Sequence, residues 1–222
     1  MKDPLKLFRA AVAALNEEMW LDVAQLCDPA SLREFKHSAL AQFDLPTNHI
    51  WTVEDFLRHS PEMPPEVAQY QVDQIQRQAH PDTRFARDFP LLNGPDELRS
   101  MEPAEVFASW LEGRSMKSQL EQMVRAGRVS SSALDAHRET IASMKHELAP
   151  IGSVPDGDEI VHVLYRWGPD DTDQAPAMAR AFPFVTSCIR QNGGGWLLIA
   201  DYNFLSIGSM SVGIDGAEDD ID

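Results

Sequence analysis

Ala179-Arg180-Ala181-Phe182-Pro183-Phe184-Val185-Thr186-Ser187-Cys188-Ile189-Arg190 runs into Gln191-Asn192-Gly193-Gly194-Gly195, and then into Trp196-Leu197-Leu198-Ile199-Ala200-Asp201-Tyr202-Asn203-Phe204. Two runs rich in β-branched and aromatic residues flank an Asn-Gly cluster. Asn and Gly tolerate the positive φ that a tight hairpin turn demands, so the stretch predicts a β-hairpin. Working upstream, Glu159-Ile160-Val161-His162-Val163-Leu164-Tyr165-Arg166-Trp167 has strand composition, and Pro155-Asp156-Gly157-Asp158 before it has turn chemistry. The spacing predicts four antiparallel strands in a meander, about 146–154, 159–167, 178–190 and 196–205.

The residues before this sheet are helical in pattern. Asp3 is a candidate N-cap with Pro4 at the first helical position, and Leu5, Phe8, Val12, Leu15, Met19, Val23 and Leu26 recur at spacings of three and four. Asn16 permits a break between Leu15 and Trp20. Asp28-Pro29 repeats the start signal for a second helix to about Gln42, with Leu32, Phe35, Ala39 and Leu40 inward. Thr52 and Asp55 resemble a capping box over Val53 to His59. Pro65 opens a helix to about Ala79, with Val67, Tyr70 and Ile75 inward. His80 to Pro95, with three prolines and an Asn-Gly, reads as irregular, with Phe85, Phe89, Leu91 and Leu92 tucked against the body. Helices then follow at about Pro103–Leu111, Met116–Ala126 and Ala133–Met144. Val106, Phe107 and Trp110 point inward on the first of these, and Leu120, Met123 and Val124 on the second. Helices followed by a run of strands give an α+β class, a helix-rich N-terminal half packed on a C-terminal antiparallel sheet.

Composition narrows the function classes. The 222 residues are 43% hydrophobic and carry a formal net charge of −16. That charge argues against nucleic acid or anionic lipid as a direct partner, because both need a basic surface. A basic partner protein stays open. Cys27 and Cys188 stand far apart with no Cys/His cluster, as buried thiols do in a reducing compartment. No secretory signal or membrane-spanning stretch is evident, so a cytoplasmic location is expected. Residues 206–222, ending Glu218-Asp219-Asp220-Ile221-Asp222, read as a disordered acidic tail.

Ala13-Ala14-Leu15-Asn16 on a helical hairpin, together with a C-terminal antiparallel meander carrying a Gly-turn-Trp, resembles the nuclear transport factor 2-like superfamily. The resemblance covers roughly Leu5 to Phe43 and Leu148 to Leu205. It implies a single domain over 1–205 whose curved sheet wraps the first helix as a cone, with a helical insertion at about 52–128. It also implies a homodimer or an apolar ligand pocket among the possibilities, because relatives include ligand-binding modules, dimerisation domains, isomerases, dehydratases and cyclases. Fold therefore does not settle function. The isomerases place a Tyr five residues before that Asn, where this chain has Ala11. They also place a protonated Asp on the penultimate strand, and residues 174–200 contain no Asp or Glu; Thr186 or Ser187 lies nearest.

The remaining candidates lie on or beside the sheet. Alternation puts His162, Leu164 and Arg166 on one face of their strand and Val161, Val163, Tyr165 and Trp167 on the other. Inward placement of the second set buries more apolar area and is the expected one. On the last strand Trp196, Leu198, Ala200, Tyr202 and Phe204 share a face. Pocket candidates are Trp20, His162, Tyr165, Arg166, Trp196, Asp201 and Tyr202. Asp201, as a general base, would need burial to raise its pKa. Asp55 and His59 share a helix face, but a metal would want further ligands, and His137 and His146 do not pair well. Gly193-Gly194-Gly195 joins two strands and lacks the helix and the Lys-Ser/Thr of a phosphate loop. Trp20, Trp51, Trp110, Trp167 and Trp196 read as core anchors. No catalytic set, metal or cofactor emerges. The expectation is a non-catalytic ligand-binding or protein-interaction module. The alternatives are an isomerase, dehydratase or cyclase acting on a small apolar substrate, or an acidic accessory protein for a basic partner.

Overall fold

The computed structural model describes residues 1–44, 52–79, 81–125, 130, 148–167 and 183–205. Among these, nine helices precede four strands, an α+β arrangement. Helix α1 (Pro4–Asn16) starts as its sequence dictates: the Asp3 carboxylate accepts the Leu5 N–H at 2.9 Å, and Pro4 occupies the first turn. It buries Leu7, Phe8, Ala11 and Leu15. The break after it is real. Glu18 adopts φ +56°, and α2 (Trp20–Gln25) sets off afresh. That kink turns Met19 outward to 47% exposure, so Met19 does not belong to the stripe its spacing suggested. Asp28 then caps α3 (Pro29–Asp44), its Oδ2 accepting the Ser31 N–H at 2.9 Å, and Leu32, Phe35 and Ala39 go inward.

Helices α4 (Val53–His59) and α5 (Pro65–Ala79) lie where their start signals put them. The inward face of α5 differs from expectation. Ala68 and Val72 are buried, whereas Val67 and Tyr70 are 43% and 60% exposed. Ala68 and Val72 are four apart and share one face of the helix, and that face is the one turned inward. Residues 81–95 are also less irregular than expected. Pro81 opens α6 (Pro81–Asp88), and Pro95 opens α7 (Pro95–Ser100). A proline in the first turn loses no helical hydrogen bond, so these prolines start helices. Phe85 and Phe89 are buried as expected, while Leu91 is not.

Helix α8 (Pro103–Gly113), closed by a capping box between Glu102 and Glu105, is buried along nearly its whole length. Helix α9 (Met116–Arg125) follows, with Leu120, Met123 and Val124 half-buried. Although α8 falls within the expected insertion, it is central: Phe35 of α3 meets the rings of Phe107 at 4.9 Å, Trp110 at 5.3 Å and Tyr202 at 4.7 Å. Such pairs add about 0.5–1.5 kcal/mol each beyond simple burial. Behind α8 the buried Asp88 carboxylate accepts from Arg114 at 2.8 Å and from Arg87 at 3.0 Å, and Arg114 lies over the Trp110 ring.

The sheet is a meander of β1 (Leu148–Asp156), β2 (Ile160–Trp167), β3 (Phe184–Arg190) and β4 (Trp196–Leu198), all antiparallel in that order. Gly194, at φ +77°, closes the β3–β4 hairpin, as its sequence predicted. A register shift between Pro150 and Gly152 marks a bulge in β1. Strand β4 is much shorter than the expected 196–205. After Leu198 the Ile199 N–H still reaches Ser187 O on β3, but the Ala200 N–H is diverted to the Ser31 hydroxyl. The outer edge of β4 is closed by the N-terminal half. Leu198 N–H donates to Leu26 O at 2.9 Å, Asp28 N–H to Leu198 O at 2.7 Å, and Trp196 N–H to Met1 O at 2.6 Å. One contiguous core runs from Leu7 through α8 to Leu205. The expected helix 133–144, Trp51, His137, His146, the strand starts at 146–147 and 178–182, and the tail 206–222 lie outside the described residues, as do the side chains of Asp55, His59, Ile75 and Trp167.

Candidate functional site

The sheet has two unlike faces. Val161, Val163 and Tyr165 of β2 point inward with Thr186 and Cys188 of β3, the assignment favoured from burial. Tyr165 is completely enclosed, 5.1 Å from the Phe8 ring of α1 and 5.8 Å from Phe184. Phe8, Phe107, Trp110 and Phe204 fill the adjoining interior. Tyr165 is thus a core residue. Tyr202 is half-buried against Phe35 and Trp110, and Trp196 is half-buried under the Arg190 guanidinium. Asp201 sits at the turn after β4, and its side chain accepts from the backbone there. Partial burial raises its carboxyl above the ordinary range, and the Asn203 N–H, donated at 2.8 Å, pulls it back. The residue itself remains exposed. Trp20 lines a shallow cleft of about 120 Å³ with Glu18, Glu112, Lys117 and Glu121.

The structure therefore disperses the seven candidates. It brings together His162 and two residues that the sequence reading did not group with it. His162 Nδ1 lies 2.9 Å from the Ser187 hydroxyl on β3, and His162 Nε2 lies 3.5 Å from Asp156 Oδ2 on β1. The register accounts for this, because His162 is directly opposite Ser187. The strand bounds read from the sequence did not fix that pairing; the register does. A Ser–His–Asp row suggests nucleophilic chemistry, which needs a base at the hydroxyl and a carboxylate orienting the ring. Here the Asp156 side chain is 70% exposed and its contact is long, so solvent screens the orienting interaction. The row is a polar bridge on an open surface.

Around that bridge the outer face is apolar. Ile151, Val154 and Val185 are exposed, and Ile160, Leu164, Ile189 and Leu197 are half-buried. The register sets Val154 beside His162, Leu164 beside Val185, and Ile160 beside Ile189. Only Asp156 at one end and Arg166 at the other carry charge among the outward residues of β1–β3. Among the described residues no group of three or more His, Cys, Asp or Glu is placed to hold a metal ion, and no helix is long and apolar enough to cross a membrane. No protein-family model matches the chain, and neither a curated protein nor a solved structure matches it significantly.

Proposed function

We propose that this chain is a non-catalytic protein-interaction module of nuclear transport factor 2-like type that docks a partner on the outer face of its sheet. One observation carries the reading: the inner face is packed solid by Phe8, Tyr165 and Phe184, while the outer face leaves Ile151 55%, Val154 48% and Val185 48% exposed in one patch. Burying half of a Val or Ile side chain contributes about 1 kcal/mol, so a partner covering this face gains several kcal/mol before polar contacts. His162 and Ser187 hold each other's hydrogen-bonding capacity at the centre, which lowers the cost of desolvating them.

A photo-crosslinking side chain at Val185, with another at exposed Tyr70 as control, tests this. A discrete protein adduct at position 185 that disappears in Val154→Glu, with none at position 70, is the expected result. Indistinguishable smears at both positions would sink the reading.

A further inference from the structure

We infer that the cleft beside Trp20 binds the guanidinium head of an arginine carried on a polypeptide. The cleft uses no residue of the outer sheet face, so it stands or falls apart from the docking surface above. Two helix corners build it. The kink at Glu18, φ +56°, presents Glu18 and Trp20 where α2 begins. The turn from α8 to α9 presents Glu112 and Ser115 from one side and Lys117, Ser118 and Glu121 from the other. Packing of α2 on α8 brings the two corners together. Gly113 admits the Pro90 ring, from which a Cβ would stand only 2.6 Å away, and the loop so held sets Leu91 at the rim.

The chemistry of the cleft selects a cation with N–H donors. Three carboxylates against the one Lys117 ammonium leave a formal charge of −2. Internal pairing neutralises little of it. Lys117 stands 3.9 Å from Glu18 and Arg125 stands 4.0 Å from Glu121, loose contacts between largely exposed groups, and Glu112 has no ion pair among the described residues. Carboxylates alone would be a solvated acidic surface, but the wall between them marks a site. Ser118 is 6% exposed and lines the cleft, yet its hydroxyl has no hydrogen-bond partner among the described residues. Its backbone N–H is spent on Ser115 Oγ at 3.2 Å. The Ser109 hydroxyl is sealed inside the protein, whereas that of Ser118 opens on the cleft and can accept an N–H there. Half-buried Trp20 supplies the aromatic surface that a cation favours. A guanidinium meets all three demands: it is planar, stacks on aromatic rings, forks onto carboxylates and sheds water more readily than an ammonium. A space of about 120 Å³ is several times what one water needs and far below the roughly 300–1,000 Å³ of a metabolite pocket, so the head group enters and the rest stays outside. Free arginine would bring its α-carboxylate to an acidic mouth. A peptide linkage removes that charge, and the −16 of the whole chain draws a basic polypeptide in.

Titration of the isotope-labelled full chain with N-acetyl-arginine amide, followed by NMR at the Trp20 indole N–H, tests this. Loss of the signal in Trp20→Phe assigns it, and the same spectra show that each variant is folded. Saturable binding with a Kd of about 1–10 mM is expected for a head group of this size. N-acetyl-lysine amide and free arginine should each bind about threefold more weakly. Glu112→Gln should weaken binding about fivefold, and Ser118→Ala about threefold. Lys117→Gln removes the competing ammonium and should tighten binding about threefold. Lys2→Gln, beyond the other end of α1 from Glu18, should leave it unchanged. A shift that stays linear with concentration, or one of equal strength for the lysine and arginine amides, overturns the site. So does binding that ignores both Glu112→Gln and Ser118→Ala. Free arginine binding as tightly as its amide overturns the polypeptide source and leaves the guanidinium site standing. Crosslinking at position 185 reports on the sheet face alone, so the two readings fail separately.

Discussion

Alkaline pH should unfold this protein through its two buried thiols, and Cys188→Ala should remove a measurable share of that sensitivity. Cys188 on β3 and Cys27 before α3 are both buried, on either side of Leu198, which pairs with each. Burial pushes the Cys188 thiol from 9.0 up to about 12. Cys27 moves further in the same direction, chiefly through burial and then through the neighbouring Asp28. In the unfolded chain both thiols ionise at ordinary values. Above that pH the unfolded state binds fewer protons than the folded state, so stability falls as pH rises. The contribution is whole below the unfolded pKa, declines through the window from 9.0 to about 12, and is gone beyond it. Each thiol removes about 1.4 kcal/mol per pH unit, so Cys188 alone accounts for roughly 4 kcal/mol across its window. That is a large part of a typical 5–15 kcal/mol stability. Urea denaturation at pH values between about 8 and 11 reads the slope directly. Cys188→Ala should start about 1–2 kcal/mol less stable at the lower pH, because its sulfur is no longer packed. Its stability should then decline less steeply by about 1.4 kcal/mol per pH unit. Lysine and tyrosine ionisation is common to both proteins and cancels in the difference. Equal slopes would refute the argument.

Two further substitutions probe how the halves are tied. Asp28→Ala removes both the α3 cap and the 3.1 Å contact from Gln191 of the β3–β4 hairpin. It should cost about 1–2 kcal/mol in urea denaturation and speed amide exchange at Ser31. Asp88→Ala strands the Arg114 guanidinium against Trp110 and should cost about 3 kcal/mol by thermal or chemical denaturation, whereas Arg87→Ala, which removes a largely exposed partner, should cost under about 1 kcal/mol.

Elements with local causes were legible in the sequence. Asp3-Pro4 and Asp28-Pro29 start helices because cap and proline act within a turn. Gly194 closes its hairpin because the geometry is decided by residues 191–195. The inward set Val161, Val163 and Tyr165 followed from area alone. What failed depended on distant partners. Strand β4 stops at Leu198 because Ser31, far away in sequence, takes the Ala200 N–H. Met19 is turned out by a backbone kink at Glu18 that its side-chain pattern does not encode. Val67 looked inward because hydrophobicity ranks it above Ala68, but the helix turns its Ala68–Val72 face inward. The candidate site was legible only in part. His162 and Arg166 were identified on the outer face, but their neighbours Asp156, Ser187, Val154 and Val185 come from other strands. Only the register brings them together.

The closure of the β4 edge by Leu26, Cys27 and Asp28 also fixes the order in which the chain can mature. Those residues leave the ribosome early and their partner, Leu198, leaves late. At about 5–20 residues per second the gap is roughly 10–30 s. Through most of that interval the apolar face of α1, with Leu7, Phe8 and Leu15, waits for the strands that cover it. The nascent chain therefore carries exposed apolar surface until the β3–β4 hairpin arrives to complete the sheet.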